Sequence, residues 1–218
     1  MLAEIEIRLT IESGRTKISF GKQRKEEKDM EKKLLSVRDL AMIAIFVALI
    51  IVCTWITIPL GPVPFTLQTF AICVTGGVLG LKRGTIAVVV YILLGIVGVP
   101  VFSEFSSGIV KFIPNTETGM TGGYILGFIL TVIIIGIFKN LSKDKDNKMK
   151  ALYLGIGMFL GDIACFIFGT IWFWQFNPMH LGLTASISAC VIPFIIPDLA
   201  KIIVALIVST QVNKYLNV

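Results

Sequence analysis

Long apolar runs, separated by short polar or basic stretches, dominate the chain after about residue 36. The six runs cover residues 37–58, 65–81, 84–99, 121–138, 151–172 and 187–209. About 20 apolar residues in a helix cross the roughly 30 Å hydrocarbon core of a bilayer, and a helix satisfies its own backbone groups there. The pattern therefore predicts an all-α integral membrane protein with six transmembrane helices.

The first 33 residues differ sharply from the rest in polarity. Residues 22–33 are almost entirely charged or polar, which leaves too little apolar surface for a packed core. We interpret residues 1–33 as a polar N-terminal extension, either disordered or a surface helix, and residues 34–218 as one membrane domain. We expect no cleavable signal sequence, because the first apolar run follows a long charged tail and lacks a small-residue cleavage pattern.

Lysine and arginine are distributed unequally between the two sides of the predicted bundle. One side receives the basic tail, Lys82–Arg83, five lysines within residues 139–150, and Lys214, whereas the other receives only Lys111. Basic loops stay in the cytoplasm. Both termini are therefore predicted to be cytoplasmic, with residues 59–64, 100–120 and 173–186 outside, and an even number of helices gives the same result. The aromatic residues within 100–120 favour a lid packed on the bundle over a loose connector.

Composition and missing motifs exclude several functional classes. The chain is 55% hydrophobic and 16% charged, against about 25% charged in typical soluble proteins. Positive-inside topology accounts for the net charge of +6, so nucleic acid is not expected as a partner. The four cysteines have no CxxC spacing and are expected to be buried thiols. We find no P-loop, HExxH or GxSxG motif and only His180, so we predict no catalytic residues, metal site or cofactor.

Away from the ends of the predicted spans there are three charged residues: Asp162 in the fifth run, and Asp198 and Lys201 near the middle of the sixth. Ionisable groups inside a membrane generally face a cavity or a partner. The spacing of three places Asp198 and Lys201 on one helix face, where they could bind a solute or form a salt bridge that fixes helix packing. We favour a structural or pairing role for Asp162. Pro193 and Pro197 should disturb the sixth helix.

Other polar and small residues allow two interpretations each. Gln68 could bind a solute or join two helices by hydrogen bonds. Tyr124 and Trp172 could line a hydrophobic pocket or belong to an interfacial aromatic belt. Ala44 and Ala48 form a small-xxx-small step, which could serve internal packing or the docking of another membrane protein.

Several stretches together resemble the BioY family, the biotin-binding S components of energy-coupling-factor (ECF) vitamin transporters. The first is GPVPFTLQTFAICVTGGVLGLKRGTIAVVVYILLGIVGVPVF at residues 61–102, and the others are TGGYILGF at 121–128, GTIWF at 169–173 and PDLAK at 197–201. The resemblance covers roughly residues 35–212. The order and spacing of these four stretches are more specific to the family than any single stretch.

This resemblance implies a six-helix S-component-like bundle that captures biotin from outside. It also implies one T component and two cytoplasmic ATPase subunits that hydrolyse ATP, so the chain would need no cofactor of its own. Asp198 and Lys201 would contact the biotin head group, and Ala44 and Ala48 would face the T component. For the biotin carboxylate we name Gln68, Ser106, Ser107 and nearby backbone N–H groups as candidates, with Tyr124 and Trp172 beside the ligand.

The chain departs from the family pattern in two places. Gly119–Met120 stands where the family usually has Gly-Pro, after a loop that is longer than usual, and Ile196–Pro197–Asp198 replaces Pro-Gly-Asp. Three alternatives to biotin uptake in a bacterial plasma membrane remain open. They are another small vitamin on the same scaffold, a membrane-embedded enzyme acting on lipid or isoprenoid through Asp162 and Asp198, and a purely structural membrane protein.

Overall fold

A computed structural model describes residues 36–59, 63–114, 119–178 and 180–216. The predicted polar extension, residues 1–33, lies outside the described residues. Ala41–Val218 form one compact unit. The described elements are almost all helical, which confirms the predicted all-α membrane class.

The described residues form six α-helices and one small β-ribbon. The helices are α1 (Val37–Trp55), α2 (Gln68–Val97), α3 (Gly122–Leu141), α4 (Asn147–Phe176), α5 (Leu183–Cys190) and α6 (Ile195–Leu216). Between α1 and α2, strands β1 (Thr57–Ile58) and β2 (Phe65–Thr66) pair antiparallel. Short 3₁₀ turns occupy Ser103–Phe105, Ile109–Phe112, Gly119–Thr121 and Ile192–Phe194.

Helix α3 is the centre of the packing, since its most extensive contacts are with α4 and α2. Small residues allow these close approaches: a Cβ on Gly136 would collide with the backbone of Leu81. The hydroxyl of Thr131 donates to the carbonyl oxygen of Gly161 at 2.9 Å, which ties α3 to α4. In lipid there is no hydrophobic driving force between helices, so hydrogen bonds and the close packing of small residues hold them together.

The number of continuous helices differs from the sequence-based prediction. Among the described residues, five helices or joined helices are long and apolar enough to cross a membrane, not six: Val37–Trp55, Gln68–Val97, Gly119–Leu141, Asn147–Phe176 and Leu183–Leu216. The second and third predicted runs, residues 65–81 and 84–99, fall within the single element α2. The basic pair Lys82–Arg83 was expected to separate them, but it lies inside that element.

Helix α2 nevertheless reverses direction at Gly80, so that its two halves lie side by side. Gly80 has φ 71° and ψ −167°, a conformation essentially restricted to glycine. Gln68 Nε2 donates to Tyr91 Oη at 2.7 Å, although a straight helix would separate residues 23 positions apart by about 34 Å. We call residues 68–79 the first arm and residues 81–97 the second arm of the α2 hairpin.

Two polar side chains satisfy the carbonyl groups that the turn at Gly80 leaves without helical partners. Lys139 Nζ donates to the carbonyl oxygen of Val78 at 2.7 Å and to Asn213 Oδ1 at 3.1 Å. Asn213 Nδ2 donates to the carbonyl oxygen of Gly77 at 3.0 Å. Because buried backbone groups without partners are costly, this network fixes the turn against the ends of α3 and α6.

The sixth apolar run is interrupted, as its prolines predicted. Helix α5 ends at Cys190, a 3₁₀ turn containing Pro193 follows, and α6 begins at Ile195. Asp198, near the middle of the sixth apolar run, therefore lies in the first turn of α6.

The segment between α2 and α3, predicted to lie outside, is packed against the bundle. Val101 and Phe102 are each 1% exposed, and the Phe102 ring makes edge contacts with the rings of Tyr91 and Phe112. Trp55 Nε1 donates to the carbonyl oxygen of Pro100 at 2.9 Å. Burial lowers the pKa of Lys111, an effect that the Glu104 carboxylate partly opposes. These contacts agree with a lid rather than a loose connector.

Candidate functional site

A partly open cavity lies where the first arm of α2, α3, α4 and α6 meet, next to the loops that precede α2 and α3. The β-ribbon and the segment after α2 complete its walls. Its free volume is about 70 Å³, whereas small-molecule pockets usually measure about 300–1,000 Å³. A solute the size of a vitamin would therefore require the loop walls to move outward.

Asp198 and Lys201 form the ion pair expected from their spacing. Lys201 Nζ lies 2.5 Å from Asp198 Oδ1, and both residues are buried in the cavity wall, at 8% and 3% exposure for lysine and aspartate. Thr69 Oγ1 accepts from Lys201 Nζ at 3.1 Å and donates to Asp198 Oδ1 at 3.2 Å. The Phe65 ring centroid is 4.0 Å from Nζ, which adds cation–π attraction.

These contacts hold the pair but leave part of its hydrogen-bonding capacity unused. A carboxylate has about four acceptor positions and an ammonium three donors. The second carboxylate oxygen of Asp198, Oδ2, accepts no hydrogen bond from a described residue. A guest could therefore bind an acceptor and a donor side by side without displacing Thr69.

Gln68 lies in the cavity wall and also forms a hydrogen bond that joins two helical segments. It is 6% exposed and lies in the cavity wall. Its amide also joins the two arms of α2 through Tyr91, whose hydroxyl in turn donates to the carbonyl oxygen of Val101 at 3.1 Å. One amide proton is thus engaged in the hairpin, and the carbonyl oxygen remains as an acceptor.

Apolar and aromatic side chains form most of the remaining wall. Tyr124 belongs to it, as expected, and its hydroxyl lies 2.9 Å from Thr170 Oγ1. Besides Tyr124, Asp162, Asp198, Lys201 and Gln68, the wall contains residues that the sequence did not single out as site residues. They are Val63, Pro64, Thr66, Thr69, Phe102, Ser103, Thr121, Ile125, Phe128, Cys165, Phe166, Cys190 and Phe194. Such walls suit the ring and chain of an apolar solute with few polar groups.

Asp162 lies in the same cavity wall as the ion pair. It is 8% exposed, and no described residue donates a hydrogen bond to it or forms an ion pair with it. The sequence favoured a structural or pairing role because nothing complementary lies one turn away in α4. Since α4 and α6 converge at the cavity, the structure instead places a second carboxylate near Asp198 and Lys201.

Three residues proposed from the sequence do not line the cavity. Ser106 Oγ donates to the carbonyl oxygen of Ser103 at 2.6 Å, and Ser103 takes the wall position while Ser106 and Ser107 stay outside it. Trp172 Nε1 donates to the carbonyl oxygen of Gly119 at 3.0 Å, and its ring packs on Phe176. Trp172 thus anchors the start of α3 to α4.

Ala44 and Ala48 lie on the exposed side of α1. Isoleucine and valine side chains on the same helix, Ile45 and Val52, are 62% and 53% exposed. These alanines are therefore not packed inside the bundle, which was one of the two interpretations of this small-residue step. The face is open to lipid or to another membrane protein.

Among the residues that the structure describes, no three histidine, cysteine, aspartate or glutamate side chains cluster so as to hold a metal ion. The cavity chemistry rests on an ion pair, a second carboxylate, hydroxyls and an amide. This set is suited to a solute that carries N–H donors next to a carbonyl acceptor.

Comparison with known proteins identifies relatives along the membrane part of the chain. A profile of the BioY family matches residues 26–218. The biotin transporter BioY of Thermotoga maritima is 40% identical over 178 residues, covering 82% of this chain and 97% of that protein. Biotin transporter BioY2 of Lactococcus lactis is 31% identical over 178 residues, covering 82% and 91%.

A solved structure is similar as well. The crystal structure of the S component for biotin from an ECF-type ABC transporter matches with a TM-score of 0.69 and 29% identity, over 82% of this chain and 92% of that one. The relatives are transporters by name, which agrees with the expectation that this chain is not an enzyme. The profile match and the extent of the alignments show that the chain belongs to the BioY family.

Proposed function

We propose that this chain takes up biotin across the plasma membrane as the substrate-binding (S) subunit of an ECF-type transporter. The observation that carries the proposal is the buried Asp198–Lys201 pair in the wall of a cavity between membrane helices. A charged pair at this depth is costly unless something uses or compensates it. The names of the relatives, biotin transporters and a biotin S component, agree with this chemistry.

The polar groups of the cavity complement the ureido ring of biotin. Asp198 accepts an N–H of the ring, and Lys201 donates to its carbonyl oxygen. Ile125, Phe128 and Phe194 supply apolar surface for the thiophane ring and the valeryl chain. For the carboxylate we now favour the Ser103 hydroxyl over Ser106 and Ser107, because Ser103 belongs to the cavity wall.

Asp162 is expected to contribute to affinity, since its carboxylate lies in the cavity wall without a partner among the described residues. Asp162→Asn should weaken biotin binding roughly 10- to 100-fold, because a hydrogen bond to a charged group contributes about 1.5–3 kcal/mol. Isothermal titration of the purified variant measures this, with the exposed Asp144→Asn as the matched control. If affinity stays at the wild-type level while thermal stability falls, Asp162 has only the structural role first assigned to it.

We further propose six membrane-crossing segments with both termini cytoplasmic, the two arms of α2 counting separately. The contact between Gln68 and Tyr91 supports the reversal within α2. Lys139 and Asn213 meet the turn at Gly80, so α3 and α6 end at the same side as that turn. Helix α1 ends beside Pro100 at the opposite side. The lysine-rich side is the cytoplasmic one by the positive-inside rule.

Energy for transport is proposed to come from partners: one T component in the membrane and two cytoplasmic ATPases. The exposed face around Ala44 and Ala48 is the proposed contact with the T component, since small residues let two helix backbones approach closely. The chain itself carries no P-loop motif in its sequence, so ATP hydrolysis is assigned to the partners, and biotin is cargo rather than a cofactor.

Titration of the purified protein with biotin tests the proposal directly. We expect saturable binding of one biotin per chain, with the analogue lacking the ureido ring, diaminobiotin, binding at least tenfold more weakly. Mass spectrometry of small molecules that copurify with the chain tests the alternative that the same scaffold binds another vitamin. A different copurifying vitamin, together with no heat of binding for biotin, would disprove biotin as the substrate.

A further inference from the structure

A second cavity, far from the biotin site, lies at the end of the bundle where α3 and α6 finish and α4 begins. Its volume is about 610 Å³, much larger than the biotin cavity. We call it the basic cavity, because four of its lining residues are lysines: Lys139, Lys143, Lys150 and Lys214. The remaining lining residues are Ser142, Asn147, Ala151, Leu154, Thr210, Gln211 and Asn213.

Among the described residues, no acidic side chain lines the basic cavity. None of the four lysines forms an ion pair with a carboxylate of a described residue. The connection between α3 and α4 does contain Asp144 and Asp146, but both lie outside the cavity wall. Four positive charges around one concave surface therefore lack an anion supplied by the described chain, and such a surface attracts anions from its surroundings.

The base of the cavity is a fixed structure. Lys139 is held by the carbonyl oxygen of Val78 and by Asn213, whose amide also binds Gly77. This network belongs to the turn of the α2 hairpin, so its geometry depends on the fold rather than on a mobile loop. Lys143, Lys150 and Lys214 are exposed and so have ammonium donors free to meet a ligand from the solvent side.

An apolar groove begins where the basic cavity ends. Its wall is formed by Ala151, which also lines the cavity, and by Leu152, Gly155, Ile156, Phe159, Leu160 and Leu206, and its volume is about 330 Å³. The large side chains are turned outward: Leu152 is 54% exposed, and Phe159 is 46% exposed. In the membrane these surfaces face hydrocarbon, so the groove continues from a positively charged mouth along the lipid-facing side of α4 and α6.

We propose that the basic cavity and this groove together bind one anionic phospholipid. The phosphate and glycerol of the headgroup lie among the four lysines, and an acyl chain lies in the groove. A soluble anion would use the lysines but not the groove, and an acidic surface of a partner protein would not explain an adjoining apolar groove that faces lipid. A basic pocket at the membrane boundary is the arrangement that anionic headgroups recognise.

The test uses the full chain, purified in a neutral detergent and depleted of lipid. Native mass spectrometry titrates it with dioleoyl phosphatidylglycerol or with dioleoyl phosphatidylcholine. We expect one phosphatidylglycerol to bind at least tenfold more tightly than phosphatidylcholine. Lys143→Gln combined with Lys150→Gln should weaken phosphatidylglycerol binding about 25-fold, or roughly fivefold per lysine.

The matched control is Lys145→Gln combined with Lys148→Gln. It makes the same change of charge in the same segment, but neither residue lines the cavity, so lipid affinity should change less than threefold. An equal loss in the control would overturn the proposal, because binding would then reflect the general positive charge. Equal affinity for the two lipids would overturn it as well.

Two further measurements distinguish the groove from the lysines. Gly155→Leu places a side chain in the groove, where a Cβ on residue 155 would lie 3.2 Å from Leu206 Cδ2. This variant should bind phosphatidylglycerol more weakly than the wild type. Its biotin binding should be unchanged, and that result would show that the variant is folded. Glycerol 3-phosphate should fail to stabilise the protein against heat. The proposal of a lipid site would be contradicted if glycerol 3-phosphate stabilised the protein as strongly as the lipid does. It would also be contradicted if lipid selectivity appeared only when partner subunits are present.

Discussion

Asp198→Asn is expected to weaken biotin binding by roughly 30- to 1,000-fold. The substitution keeps the shape of the side chain but removes the charge that holds Lys201 and accepts the ureido N–H. Truncating one partner of a buried, hydrogen-bonded pair costs about 2–4 kcal/mol in binding, and each 1.4 kcal/mol is a factor of about ten. Lys201→Met should act similarly, because it leaves the Asp198 carboxylate buried beside Thr69 without its cation. Isothermal titration with biotin measures both effects.

The double variant Asp198→Leu, Lys201→Met separates ligand binding from a purely structural salt bridge. Replacing both members of a buried pair by apolar residues is often neutral or stabilising, whereas removing one is destabilising. We therefore expect the double variant to recover the thermal stability lost in the single variants but to bind no biotin. Recovery of biotin binding along with stability would show that the pair only fixes helix packing.

Exposed residues of the same types provide the controls for these variants. Asp146→Asn and Lys145→Met change the same functional groups in the connection between α3 and α4, where both residues are exposed. Neither lines the biotin cavity, so biotin affinity should stay within a factor of two of the wild type. A comparable loss in the controls would point to a general effect of charge rather than to the pair.

Ala48→Trp is expected to abolish biotin uptake by cells that contain the complete transporter, while the purified subunit still binds biotin. The indole would hold a partner helix away from the exposed face of α1, where Ala44 and Ala48 permit close backbone approach. Uptake of radiolabelled biotin should fall at least tenfold. Ala44→Trp should have the same effect, because the two positions are one helical turn apart.

A tryptophan on a different lipid-exposed face is the control for the docking variants. Ile203 on α6 is 59% exposed, and Ile203→Trp should leave uptake near the wild-type level. If Ala48→Trp retained full uptake, α1 would not be the docking face. If Ile203→Trp also stopped uptake, the loss would be due to tryptophan in the membrane rather than to a blocked interface.

The structural features that the sequence anticipated depend on local patterns. Asp198 and Lys201 are paired by helical spacing alone, and the prolines before them predicted the interruption between α5 and α6. The all-helical class and the approximate ends of most helices followed from the length of apolar runs between basic or glycine-rich connections.

The structure differs from the sequence-based expectation where contacts between distant segments decide the position of a residue. Asp162 enters the cavity because α4 converges on α6, and no pattern within α4 records that approach. Ser106 and Ser107 were chosen for their hydroxyl groups, but the 3₁₀ turn after Phe102 directs Ser103 into the wall instead. Trp172 pairs with a backbone carbonyl 53 residues away. The position of the turn in α2 depended on one glycine conformation at Gly80, beside the more conspicuous pair Lys82–Arg83.

The turn at Gly80 also constrains how the chain enters the bilayer during synthesis. The first arm, residues 68–79, is only about 18 Å long as a helix, which is well short of the roughly 30 Å hydrocarbon thickness. By itself, a helix this short matches the hydrocarbon thickness poorly. We therefore expect the first arm to enter the bilayer together with the second arm, as a helical pair. A substitution that favours a straight helix at Gly80 would disturb the protein before it has folded.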